Sequence, residues 1–154
     1  MNYSYSLKER NNIRLNYWDI TAKLLVIVGL ICFSLSLYFV GLFTSGDDLY
    51  GIWILLIGWM GVIVFQLSWF ANPLNLLALL LMSTKPRVSL LLSVLAFLLA
   101  SQTFRFSEIP IGFNQERIFI KELGIGFYLW YTANGLFVVA ALIEVLRVKS
   151  LKKL

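Results

Sequence analysis

Few side chains in this sequence are suited to chemistry, and their spacing narrows the choice further. Five acids, Asp47, Asp48, Glu108, Glu116 and Glu122, lie between apolar runs. Two convergent carboxylates can serve glycoside hydrolysis, and several can hold Ca²⁺. Nothing in the spacing of these five supports either, and they read as solvated surface charge. Histidine is absent, which excludes imidazole proton relays, Ser-His-Asp triads and His-bound metals. Cys32 is the single thiol, so neither an intrachain disulfide nor a Cys-x-x-Cys redox pair can form. In an apolar run it reads as a small packing residue. No catalytic set, cofactor or metal is expected.

Glu144 falls inside an apolar run, and an intramembrane acid is a functional candidate by default. Arg147 follows three residues later, near the end of that run. That spacing favours an ion pair at a helix end over a proton or cation path. Gln66 and Asn134 are amides positioned to hydrogen-bond between helices. Asn72, Asn75, Lys85 and Arg87 are, with Glu144, the polar candidates for an inner membrane interface, where they could meet a lipid. A last set is a stripe of small side chains: Ser89, Ser93, Ala96, Ala100 and Thr103. Steps of 4, 3, 4 and 3 place all five on one helical face. Small faces let membrane helices approach closely; lined up between subunits, the same hydroxyls could border a pore. Weaker small seams are Ala22, Gly29 and Ser36, and Gly51, Gly58, Gly61 and Ser68.

The elements that position these groups follow from composition. The chain has 154 residues, 60% apolar and 14% charged, with net charge +5 and mean hydropathy +0.82. So small a body cannot hide that much apolar surface from water. The reading is an all-α membrane protein of one domain, residues 1–154, a four-helix bundle with spans near 24–43, 50–70, 88–104 and 126–146. Each is near the ~20 apolar residues that a crossing helix needs. The first run is longer than a signal-peptide core and lacks a cleavage pattern, so it reads as a true span. Ala71-Asn72-Pro73 breaks the apolar run that starts at Tyr50, because Asn caps and Pro opens helices. A short helix is expected over 73–82, along the inner interface or packed as a half-helix against the bundle. The outer loop 105–125 alternates around Gly112-Phe-Asn-Gln and predicts a β-hairpin or extended loop.

Orientation follows from the cations. With the N-terminus cytoplasmic, ten lie inside: Lys8, Arg10, Arg14, Lys23, Lys85, Arg87, Arg147, Lys149, Lys152 and Lys153. Three lie outside: Arg105, Arg117 and Lys121. Both termini are therefore expected in the cytoplasm of a bacterial-type inner membrane, with membrane lipids as partners. The charge is explained by topology, and no nucleic-acid signal is present. The functional expectation is non-catalytic association, as a homo-oligomer or as the membrane subunit of a larger complex: a sensor, anchor, accessory or immunity-type protein. The alternatives are an oligomeric pore lined by Ser89, Ser93 and Thr103, and a lipid-binding or lipid-modifying protein at the inner interface.

Overall fold

The computed structural model describes residues 2–111 and 116–151. Its elements run α1 (Asn2–Tyr38), β1 (Val40–Thr44), β2 (Leu49–Tyr50), α2 (Gly51–Ile57), α3 (Ala71–Leu81), α4 (Pro86–Ser101), β3 (Glu108–Ile111), β4 (Glu116–Leu123) and α5 (Ile125–Leu151). Short 3₁₀ turns occupy Gly58–Val64, Ser68–Phe70 and Gln102–Arg105. The chain is mostly helical, and three stretches are long and apolar enough to cross a membrane: Tyr17–Tyr38, Pro86–Arg105 and Ile125–Leu151.

The helix order in space is fixed by a few contacts. α1 and α5 are antiparallel: Asp19 meets Arg147 at one end, Gly29 faces the Phe137 ring midway, and Gly126 lies against the Ser36 and Phe39 carbonyls at the other. Ala22, Gly29 and Ser36, the first small seam, are all buried. α4 is antiparallel to α5, with Ser101 beside Tyr131 and Phe104 beside Phe127. α3 runs parallel to α5, through Asn72 to Trp130 and Asn75 to Asn134. A four-residue connection, 82–85, returns the chain from α3 into α4, which Pro86 opens. Ala71, Ala96 and Ala100 are fully buried between α3 and α4, with Leu74, Trp130 and Tyr131 around them.

An all-α description is corrected by a four-stranded antiparallel sheet of order β2-β1-β4-β3 at one end of the helices. The β3–β4 hairpin falls where the alternation predicted it, with Ile109 opposite Ile118; its turn, 112–115, lies outside the described residues. A lone hairpin is marginal, and here β1 pairs with β4 to extend it. β1 takes in Val40–Phe43, which the sequence placed at the end of the first helix. The helix stops at Tyr38 because the next carbonyls are taken from outside it. Gly51 N–H donates to Phe39 O at 3.0 Å and Gly124 N–H to Gly41 O at 2.9 Å. A Cβ at Gly124 would overlap Val40 O, so only glycine lets β4 leave the sheet here. Thr44 closes the β1–β2 turn, its hydroxyl donating to Asp47 O at 2.8 Å and accepting from Gly46 N–H at 3.1 Å.

The larger correction concerns the expected span 50–70. α2 lasts seven residues and gives way to the 3₁₀ turn Gly58–Val64. Phe65 then adopts a left-handed backbone, φ 59°, a conformation seldom used by non-glycine residues. Gln66 N–H donates back to Gly61 O at 2.8 Å, and the Gln66 side chain donates to the Glu108 carbonyl of β3 at 3.3 Å. The segment therefore returns to the sheet end from which it started. Its glycines explain the turn: Gly58 leaves room for the Trp69 ring and Gly61 for Gln66. They form no seam along one helix. Trp69 Nε1 donates to Leu55 O at 2.8 Å, fastening the outgoing limb to the returning one.

Candidate functional site

The bend and the sheet together enclose a cavity of about 610 Å³, within the ~300–1,000 Å³ usual for small-molecule sites. Its roof is the inner face of the sheet, through Leu42, Leu49, Ile109 and Ile120. One wall is the end of α1, at Phe33, Ser36 and Leu37; another is α2 and the 3₁₀ turn that follows. The floor is formed by Thr103, Phe127 and Trp130. Below it an aromatic cluster stiffens the α4–α5 contact: Phe104 and Phe127 meet edge-on at 5.0 Å, and Phe97 stacks on Tyr131 at 4.7 Å. Such ring pairs contribute ~0.5–1.5 kcal/mol beyond burial.

Beside this floor runs a chain of amides. Trp130 Nε1 donates to Asn72 Oδ1 at 2.8 Å. Asn134 Nδ2 donates to Trp130 O at 2.8 Å, and Asn75 Nδ2 donates to Asn134 Oδ1 at 2.6 Å. α3 and α5 are thereby tied at the depth of the cavity floor. Asn72 itself lines the cavity, as do Gln66 and Ser68.

The sequence-derived candidates separate into three places. Asn72 and Asn75 lie in this amide chain, toward the sheet end. Asn72 caps no helix, since α3 already begins at Ala71. Lys85 and Arg87 are exposed at the opposite end of the bundle. Glu144 is buried near that end, where Arg147 grips it in two contacts, Nε to Oε2 at 2.9 Å and Nη2 to Oε1 at 2.6 Å. Arg147 also reaches Asp19 of α1 at 3.3 Å. That clasp, which Asp19 completes, joins α1 to α5. The five polar candidates thus do not converge on one site.

The small stripe Ser89, Ser93, Ala96, Ala100 and Thr103 is buried along its whole length inside one chain. Thr103 reaches the cavity floor. Sequence reasoning missed the cavity. The available signals were five glycines from Gly41 to Gly61, too many for one smooth span, and the turn-forming Thr44-Ser-Gly-Asp-Asp after a β-branched and aromatic run.

Among the described residues, no group of three or more acids or thiols converges to hold a metal. No family model matches the chain, and no curated protein or solved structure matches it.

Proposed function

We propose that this is a four-pass membrane protein that binds an apolar ligand beneath its sheet, without catalysis. α1, α4 and α5 supply three passes. The fourth is Ser68–Leu81, about 22 Å of 3₁₀ turn and helix. It is shorter than the ~30 Å hydrocarbon core, but it lies alongside α4, and Lys85 and Arg87 at its end can reach outward to the interface. The bend over 51–67 adds no pass. An even number of passes keeps both termini on one side, and the ten-to-three division of cations makes that side the cytoplasm of an inner membrane. The sheet then faces outward.

The observation that carries the functional reading is the roofed cavity, walled mainly by aliphatic and aromatic side chains with a few amides and hydroxyls. That mixture is the usual make-up of a ligand pocket. Delipidated protein should take up an apolar, environment-sensitive dye at one saturable site. The double change Ile54→Phe with Ile120→Phe fills the space from wall and roof and should abolish that uptake. Uptake that does not saturate, or that the filled variant retains, contradicts the reading.

A second reading, association with another membrane protein as an accessory subunit or sensor, draws on Trp53, Trp59 and Phe65, exposed around the bend. A homo-oligomer or pore built on the α4 stripe would have to expose side chains that this fold spends on its own packing.

A further inference from the structure

Most of the cavity lining is buried or half-buried. Its three exposed members, Ile57, Met60 and Ile63, all come from the bend and are 50%, 50% and 71% exposed. The mouth therefore lies at this one stretch. Every side chain at it is apolar, and its neighbours Leu56, Trp59, Val62 and Phe65 are exposed and apolar as well. In the four-pass arrangement such a surface belongs against hydrocarbon, so the opening faces sideways into the bilayer.

What fills such a space follows from elementary physics. A cavity walled by aliphatic and aromatic groups does not hold water well, because water needs two to four polar partners. An empty one forfeits dispersion contacts along its whole lining. Hydrocarbon tails are present at the mouth at the highest concentration that a membrane allows. A tail gains nothing from the hydrophobic effect on leaving lipid for an apolar pocket, so any preference must come from fit and from a polar contact. Asn72 provides the contact. Its Oδ1 is engaged by Trp130, and no acceptor for its Nδ2 is present among the described residues. A donor on the wall of an apolar site selects a chain that carries a carbonyl.

We infer that the cavity holds one acyl chain of a membrane lipid, admitted sideways past Ile57, Met60 and Ile63, with its carbonyl accepting from Asn72. The inference rests on the reading of the cavity as an apolar ligand site. Two of the chain's five tryptophans, Trp69 and Trp130, line the space. They serve as reporters once Trp18, Trp53 and Trp59 are changed to Phe. That protein is placed in vesicles of phosphatidylcholine, brominated along the acyl chains or unbrominated. Bromine quenches indoles only at close range, so brominated lipid should remove more than half of the emission. Adding Ile54→Phe and Ile120→Phe should restore most of it.

Emission that brominated lipid leaves unchanged overturns the inference, as does quenching that persists in the filled variant. If the apolar dye still saturates while brominated lipid does not quench, the ligand site stands and the acyl chain falls. If neither occurs, both fall. Should the filled variant not fold, extraction of the purified parent protein decides: one retained acyl lipid per chain supports the inference, and none overturns it.

Discussion

The Asn75 amide nitrogen donates to Asn134 Oδ1 at 2.6 Å, joining α3 to α5 in the buried centre of the helices. A hydrogen bond between membrane helices is worth about 0.6–2 kcal/mol. Asn75→Leu should therefore lower stability by about that amount, read as a lower midpoint in denaturing-detergent titration. Asn134→Leu should cost more, because Trp130 O loses its donor as well. Equal effects, or none, would show that the amide chain is not a structural tie.

Gly29 and Gly135 make a paired test of close helix approach. A Cβ at Gly29 would lie 2.6 Å from the Phe137 ring, whereas one at Gly135 would meet only Phe97, at 3.6 Å. Gly29→Ala should force the α1–α5 interface apart at a cost of about 1–3 kcal/mol. Gly135→Ala should be neutral or stabilising by up to about 1 kcal/mol, since alanine is the better helix former. The same detergent titration reads both, and a reversed order contradicts the antiparallel α1–α5 packing.

Arg147 holds Glu144 in two contacts and reaches Asp19 across to α1. Removing one partner of a buried pair strands the other. Glu144→Leu should cost about 1–3 kcal/mol, less than a fully buried pair, because Arg147 stays partly exposed and keeps Asp19. The double change Glu144→Leu with Arg147→Leu should be milder than Glu144→Leu alone. If it is worse, the pair contributes net stability.

Much of the helical frame was legible in the sequence. The apolar runs at 88–104 and 126–146 located α4 and α5 closely, whereas the run at 24–43 marked the apolar part of α1 but overran its end at Tyr38 and began well after its start at Asn2. The α4 stripe and the Glu144–Arg147 pair follow from helical periodicity alone. The β3–β4 hairpin was visible in its alternation. What escaped was the non-local part. Apolar residues at Val40–Phe43 and Gly51–Phe70 satisfy a membrane-helix pattern as well as any strand or bend. Their true state is decided by partners far along the chain: Gly124 N–H for Gly41 O, Trp69 Nε1 for Leu55 O, and Gln66 for Glu108 O. Inside lipid a backbone group must be satisfied within the protein. A break in the helix is therefore permitted only where such partners arrive, and hydropathy does not report them. The candidate cavity inherits that blindness, because its wall is the bend itself.

Gly124 offers a check on the sheet. Its missing Cβ lets the chain pass Val40 O between β4 and α5. Gly124→Ala should disrupt the sheet end while leaving the α3–α4 contact in place. Faster amide exchange confined to β1 and β4 would support this. Exchange rates unchanged there would contradict the close approach.

The return of the chain at Phe65 is the relationship on which topology and cavity both depend. Spin labels at Phe65→Cys and Ser107→Cys, in a Cys32→Ser background, measure it by pulsed electron resonance in lipid. A bend that comes back to the sheet places the two labels well inside half of the ~30 Å hydrocarbon thickness. A separation close to that full thickness would mean that residues 50–70 cross the membrane, and the roofed cavity would not exist.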